Sequence, residues 1–189
     1  MVITILAEPR SGSTNLTNWF YYNKNFTTLF EPLNPNSKWF QKDKNPKDYE
    51  YKTKYLCLKE IYYPHKDWQD LIQISDKIVV LYRENAQEQL ESFLNSIKTN
   101  NWHKPYVYKF IENDFLNEKV EYFNKLKYEF KEKYVNDSFF KISYEELYYR
   151  NGLQKILDYL NLTELENKNF PLGQKYRIDD VNIKNRTII

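Results

Sequence analysis

The residues of this chain best suited to chemistry form one short run, Pro9-Arg10-Ser11-Gly12-Ser13-Thr14, which follows an apolar segment and opens an amphipathic one. Backbone N–H groups at the start of a helix attract anions, and the helix dipole adds about half a positive charge there. A glycine lets the backbone approach a phosphate closely, while hydroxyls and a guanidinium supply further donors. A tight turn with a Ser or Thr cap would use the same residues. The run therefore predicts an anion-binding loop built from Arg10, Ser11, Gly12, Ser13, Thr14 and Asn15.

The loop does not match the common nucleotide-binding motifs. It lacks the spacing G-x-x-x-x-G-K-[ST], with no lysine for the β- and γ-phosphates, and it lacks G-x-G-x-x-G. The sequence therefore gives poor support to ATP, GTP or NAD as the ligand. An anionic group remains well supported, because Gly12 is one of only three glycines and Arg10 one of only five arginines in the chain.

A second candidate element begins at Arg83, which ends the strongest predicted strand. The residues that follow fit the pattern R-x-N-x-x-x-Q-x-x-S, which places Ser92 about two turns into the next helix. An arginine at the carboxyl end of a parallel strand lies on the side where ligands bind. Arg83 could hold a second phosphate through two parallel hydrogen bonds, with Ser92 as a neutral donor. A surface arginine and a solvated serine remain the alternative.

Alternating strands and helices are predicted to position these residues. Short apolar runs indicate buried strands, and apolar spacings of three and four indicate helices. Asn85 and Ser143 have the spacing of helix N-caps, each with a glutamate three residues later. The pattern favours an α/β class with a mostly parallel sheet covered by helices on both faces. The predicted strands are Val2–Ala7, Tyr55–Leu58, Lys77–Tyr82 and Phe139–Ile142; the predicted helices are Thr14–Tyr22, Asn85–Lys98, Phe115–Tyr134, a short one after Ser143, and Leu153–Leu160.

Composition excludes several classes of protein. The 189 residues, 41% hydrophobic and 29% charged, predict one globular domain over residues 1–189. A net charge of +2 argues against a nucleic-acid binder. A single cysteine, Cys57, excludes an intrachain disulfide, and two histidines disfavour a metal site. The absence of a signal peptide and of a long apolar run predicts a cytoplasmic protein without a membrane span.

The first loop resembles the 5′-phosphosulfate loop of sulfotransferases that use 3′-phosphoadenosine 5′-phosphosulfate (PAPS). The pattern after Arg83 is similar to that of the bacterial, carbohydrate-type members, and the segment from Phe139 through the helix ending at Leu162 is similar to a third family segment. The resemblance implies a three-layer, P-loop NTPase-like sulfotransferase domain. It also implies PAPS as cosubstrate, its product 3′-phosphoadenosine 5′-phosphate (PAP), and no metal.

The same resemblance assigns binding roles to named residues. In the family an arginine and a serine at these positions bind the 3′-phosphate, which implies that role for Arg83 and Ser92. Ser96, one helical turn further, is the alternative serine. Tyr144 would lie beside the adenine, although a purely structural tyrosine fits equally well. Lys175 and Arg177 in the C-terminal tail could also reach the 3′-phosphate.

Transfer of a sulfuryl group to a hydroxyl needs a base near the acceptor oxygen and cations near the transferring group. Glu31, within F-E-P-L, resembles a segment that brings a carboxylate to the acceptor side, and partial burial would make it a stronger base. His65 is the second candidate base, since its ordinary pKa is already suitable. Arg10, or alternatively Lys59 at the end of the second predicted strand, would offset charge on the sulfuryl oxygens. A loop glutamate and a surface lysine are the structural alternatives.

Two other functions stay open at this stage. A P-loop kinase-like enzyme would need a phosphate-binding lysine and a magnesium-holding acid, and neither is evident. A non-catalytic relative could hold a nucleotide or another anion. The chain is shorter than most sulfotransferase domains, so the site for a carbohydrate or small-molecule acceptor is expected to be open or completed by another subunit of a homo-oligomer.

Overall fold

The structure, a computed structural model, describes residues 1–40, 48–64, 68–99, 114–135, 139–162 and 165. These residues form five strands interspersed with helices along the chain. No helix within these ranges is long and apolar enough to cross a membrane. The strands are β1 (Val2–Ala7), β2 (Phe26–Phe30), β3 (Tyr55–Ile61), β4 (Lys77–Tyr82) and β5 (Phe140–Ser143). The helices are α1 (Ser13–Tyr21), α2 (Gln69–Ile74), α3 (Ala86–Thr99), α4 (Asp114–Phe130, continued by a π-helical turn, Lys131–Val135), α5 (Tyr144–Tyr149) and α6 (Gly152–Leu160).

The strands form one parallel sheet in the order β2-β3-β1-β4-β5. In the register, Ile5 of β1 lies beside Lys59 of β3, which lies beside Phe30 of β2. The chain first moves from β1 to the β2 edge, returns through β3, and then crosses to β4 and β5 on the other side of β1. Parallel sheets bind ligands at the carboxyl end where the strand order reverses, which here is the end of β1.

Two apolar cores cover the two faces of the sheet. Along β1, Ile5 joins the core that packs against α1, α5 and α6, whereas Leu6 joins the core that packs against α2 and α4. Both side chains are fully buried, as the continuous apolar sequence of β1 requires for a strand covered on both faces. Helix α3 packs on α4 through Phe93 and Phe123, whose rings lie 5.1 Å apart. The resulting three-layer α/β sandwich confirms the fold class predicted from the sequence.

Two elements were absent from the sequence prediction. Strand β2 has the sequence F-T-T-L-F, which carries neither a long apolar run nor a clear alternation, and it lies at the edge of the sheet. Helix α2 is only six residues long and buries Leu71, which is too little for a periodic pattern. Strand β3 also continues to Ile61, beyond the predicted end at Leu58, because Lys59 and Glu60 are buried polar residues within it.

Candidate anion-binding and active site

The predicted site residues lie along the carboxyl edge of the sheet. Arg10 follows β1, Arg83 follows β4 and Tyr144 follows β5, and these are three adjacent strands. On the other side of β1, Lys59 lies near the end of β3 and Glu31 directly after β2. The topology therefore separates an arginine-rich half from a half that carries a carboxylate and a lysine.

The loop after β1 turns sharply into α1. The carbonyl of Glu8 accepts hydrogen bonds from the Ser11 Oγ at 2.8 Å and the Ser11 backbone N–H at 3.4 Å. Gly12 has a φ of 79°, in the left-handed region that favours glycine, and α1 begins at the next residue. The first turn of a helix leaves N–H groups without intrahelical partners, and here they belong to the loop singled out in the sequence. Thr14 and Asn15 are half-buried in this turn, and Ser13 is buried.

Arg10 is held in place by the helix that follows Arg83. Its Nε donates a hydrogen bond of 2.8 Å to the Ser92 Oγ on α3. Burial lowers the pKa of the Arg10 guanidinium, and the nearby charge of Arg83 lowers it further. Ser92, expected beside Arg83, thus contacts the arginine of the first loop. Ser96, the alternative serine, is buried and donates to the Ser92 carbonyl at 2.8 Å.

Arg83 lies between two carboxylates and an aromatic ring. Its Nη2 is 2.6 Å from the Glu88 Oε2, and its Nε is 3.7 Å from the Glu145 Oε1. The guanidinium carbon lies 4.4 Å from the centre of the Tyr144 ring, in the geometry of a cation–π contact. The buried Nε donates no hydrogen bond to any group in the described part of the chain. This buried donor therefore faces the Glu145 carboxylate at a distance longer than a hydrogen bond.

Tyr144 joins the two arginine-bearing segments. Besides its contact with Arg83, its ring packs over Gly12, and the neighbouring Tyr148 donates a hydrogen bond of 2.8 Å to the Gly12 carbonyl. Burial raises the pKa of Tyr144 to about 12, so its hydroxyl stays protonated at neutral pH. The role of an adenine contact stays a prediction, but the structure gives Tyr144 a packing role at the same place.

Replacing Gly12 with alanine is expected to lower the free energy of unfolding by about 2–4 kcal/mol. A Cβ there would lie 2.8 Å from the Tyr144 ring and 2.9 Å from the Tyr148 ring, and the positive φ of 79° adds backbone strain. Urea unfolding measures the loss. The control is Asn161→Ala, since Asn161 has a φ of 56° and is exposed. Equal losses in the two variants would mean that the tyrosine rings do not constrain the loop.

A buried polar cluster behind the loop was not foreseen in the sequence. Glu8 is 2% exposed, and its Oε2 accepts from the Gln89 Nε2 at 2.9 Å and the Lys127 Nζ at 3.2 Å. The same oxygen accepts from the Arg83 backbone N–H at 3.0 Å. Gln89 belongs to the pattern that follows Arg83, so that pattern was a partial signal. Nothing local predicts the pairing of Glu8 with Lys127, which lies 119 residues further along the chain.

Glu31 and Lys59 form a close ion pair. The Lys59 Nζ lies 2.6 Å from the Glu31 Oε1, and the Asn34 amide donates to the Glu31 Oε2 at 2.8 Å. The Lys59 side chain is 3% exposed and the Glu31 side chain 23%. The Lys59 ammonium and the Asn34 amide together fix the position of the Glu31 carboxylate. The sequence proposed these residues separately, and the structure joins them.

Two of the candidate residues have strained backbones. Arg10 has a φ of 62° and Glu31 a φ of 54°, which side chains other than glycine rarely adopt. The other non-glycine residues with positive φ in the described ranges are Asn151 and Asn161, and asparagine tolerates this conformation. Strain at an arginine and a glutamate needs support from the surrounding structure, and such positions cluster at functional sites.

Some predicted residues lie outside the described part of the chain. They are His65, the second candidate base, and the tail residues Lys175 and Arg177. Within the described ranges, no group of three or more His, Cys, Asp or Glu side chains could hold a metal ion.

Comparison with solved structures identifies the fold as that of the sulfotransferases. One match is to the crystal structure of mouse sulfotransferase SULT7A1 complexed with PAP. The two chains superpose with a TM-score of 0.56 and share 14% sequence identity. The match covers 85% of this chain and 58% of that chain. No family model and no curated protein matches the sequence. The sulfotransferase fold that the loop sequences predicted is thereby confirmed.

Proposed function

We propose that this chain is a PAPS-dependent sulfotransferase that transfers a sulfuryl group to a hydroxyl of a carbohydrate or small molecule. The observation that carries the proposal is the convergence of Arg10 and Arg83 at the carboxyl edge of the sheet. The two arginines come from separate strands, are linked through Ser92 and the α3 helix, and affect each other electrostatically. They lie in a fold shared with a protein crystallised with PAP.

The residues present fit a ligand with phosphates at two positions. The loop of Arg10 through Asn15 would hold the 5′-phosphosulfate, with first-turn N–H groups and the Arg10 guanidinium as donors. Arg83 would bind the 3′-phosphate through its Nη2 and its Nε, after Glu88 moves away from the Nη2 and the longer ion pair between the Nε and Glu145 opens. This exchange is feasible because the Glu88 side chain is 47% exposed and an exposed ion pair contributes little stability.

Glu31 would act as the base at the acceptor side. The bound cosubstrate supplies the sulfuryl group, and PAP leaves when its sulfur–oxygen bond breaks. As the acceptor oxygen bonds to sulfur, the Glu31 carboxylate takes the hydroxyl proton, and Arg10 with the first-turn N–H groups offsets charge on the leaving phosphate. Lys59 and Asn34 hold the carboxylate in place. We also infer that the chain forms one domain over residues 1–189 and needs no metal for this reaction.

The two rival functions make different demands on the same site. A kinase-like enzyme needs a lysine in the first loop, and none stands between Pro9 and Leu16. A non-catalytic relative would keep the two arginines but would have no use for a strained, ion-paired glutamate at the end of the edge strand β2. Both features favour the enzyme.

A transfer assay tests the proposed reaction. The protein is incubated with PAPS that carries a labelled sulfuryl group and with a panel of sugars and hydroxylated small molecules. We expect label on a hydroxyl and an equal amount of PAP. Transfer that persists in an Arg10→Ala and Arg83→Ala double variant would overturn the assigned site.

A further inference from the structure

The backbone N–H and carbonyl of Arg83 are both hydrogen-bonded to one ion pair, formed by Glu8 and Lys127. Its N–H donates to the Glu8 Oε2 at 3.0 Å, and its carbonyl accepts from the Lys127 Nζ at 2.7 Å. The Glu8 carboxylate and the Lys127 ammonium lie 3.2 Å apart. Arg83 is thus tied to the end of β1 and to α4 at once.

Gln89 extends this arrangement to the first loop. Its Oε1 accepts from the Lys127 Nζ at 2.8 Å, and its Nε2 donates to the Glu8 Oε2 at 2.9 Å and to the Pro9 carbonyl at 2.8 Å. Gln89 is fully buried. We call Glu8, Gln89 and Lys127 the Glu8 clamp.

Three acceptors in and around the clamp depend on the lysine: the Glu8 carboxylate, the Arg83 carbonyl and the Gln89 Oε1. Desolvation raises the pKa of the buried Glu8 carboxyl, and the Lys127 charge opposes that effect. Without the ammonium, the buried carboxylate would lose its cation, and both the Arg83 carbonyl and the Gln89 Oε1 would lose a donor. The first loop, in contrast, keeps bonds that do not involve Lys127, namely those of Ser11 to Glu8 and of Tyr148 to Gly12.

We infer that Lys127 is a positioning residue which, through the Glu8 clamp, sets the place of Arg83 and so the preference for a 3′-phosphate. This inference rests on the proposed function, since it assigns Arg83 to that phosphate. Loss of Lys127 removes a hydrogen bond that holds the Arg83 backbone, whereas the first loop keeps its bonds through Ser11 and Tyr148. It should therefore weaken PAP more than ADP, which lacks the 3′-phosphate.

The test compares dissociation constants for PAP and ADP by calorimetry, well below the unfolding temperature, in wild type and Lys127→Met. We expect the ratio of the ADP constant to the PAP constant to fall about tenfold or more. Lys125→Met is the matched control, because Lys125 is an exposed lysine on the same helix, and its ratio should stay within about twofold of wild type. A purely structural role would lower the unfolding temperature and the number of binding sites but leave the ratio unchanged.

A second variant covers the case in which Lys127→Met does not fold. Glu8→Gln combined with Lys127→Met removes the buried carboxylate and the half-buried ammonium and leaves a neutral acceptor for the Arg83 N–H. The same fall in the ratio is expected. If wild type prefers PAP and a folded variant keeps the same ratio of ADP to PAP dissociation constants, the inference about Lys127 is overturned but the proposed function is not. A wild type without preference for PAP would overturn the proposed function and this inference together.

Discussion

Replacing Arg83 with alanine is expected to lower the affinity for PAP about 10- to 100-fold and to change the affinity for ADP by less than about threefold. The expected loss corresponds to one or two hydrogen bonds to a charged group. The geometry behind it is a guanidinium whose Nε is buried without a hydrogen-bond partner among the described residues and whose central carbon lies 4.4 Å from the centre of the Tyr144 ring. Calorimetric titration of both nucleotides measures the two affinities.

Three further variants make this result specific. Arg150→Ala removes an exposed arginine at the end of α5 and should bind PAP like wild type. Arg83→Lys keeps the charge but loses the planar fork, so its affinity should fall between those of wild type and Arg83→Ala. Glu88→Gln should act in the opposite direction and tighten PAP about two- to fivefold, because it removes a competitor for the guanidinium. Equal losses for PAP and ADP in Arg83→Ala would show that Arg83 does not contact the 3′-phosphate.

The Glu31→Gln variant is expected to lose about 10²- to 10⁴-fold in the rate of sulfuryl transfer while binding PAP as wild type does. The amide cannot take the acceptor proton, although it can still contact Asn34. Glu31 also pairs with a lysine that is 3% exposed, so the variant replaces a charged acceptor of a buried ammonium by a neutral one and should be less stable by about 1–3 kcal/mol. Label transfer per PAP-binding site separates the rate from the amount of folded protein.

The double variant Glu31→Gln with Lys59→Met removes both charges, so it should recover stability but not activity. Glu50→Gln is the control, since Glu50 is an exposed glutamate. If Glu31→Gln transfers sulfuryl groups at the wild-type rate per binding site, Glu31 is not the base, and His65 becomes the first candidate.

Local sequence patterns predicted the parts of the fold that depend on neighbouring residues. The N-cap at Asn85 is confirmed by a 3.1 Å hydrogen bond from the Glu88 N–H to its Oδ1, and that at Ser143 by a bond of 3.1 Å from the Glu146 N–H to its Oγ. The loop after β1 leads into α1 at the position that the glycine and the hydroxyl residues predicted. Such features need only a few consecutive residues, so one sequence suffices to find them.

Contacts between distant segments could not be predicted in the same way. Glu31 and Lys59 are 28 residues apart, and their pairing depends on β2 lying beside β3, yet β2 was not recognised as a strand. The Glu8 clamp depends on α4 crossing behind β1 and β4, which no local pattern encodes. In both places the missing information was how distant strands and helices lie beside one another, because that arrangement decides which charges meet.

The most direct test of the proposed function is a titration of the wild-type protein with PAP and, in parallel, with ADP. Two arginines at the ends of adjacent strands predict at least about tenfold tighter binding of PAP, since only PAP places a phosphate at each of them. Equal affinities, or tighter binding of ADP, would contradict the assignment of this site to a 3′-phosphorylated nucleotide.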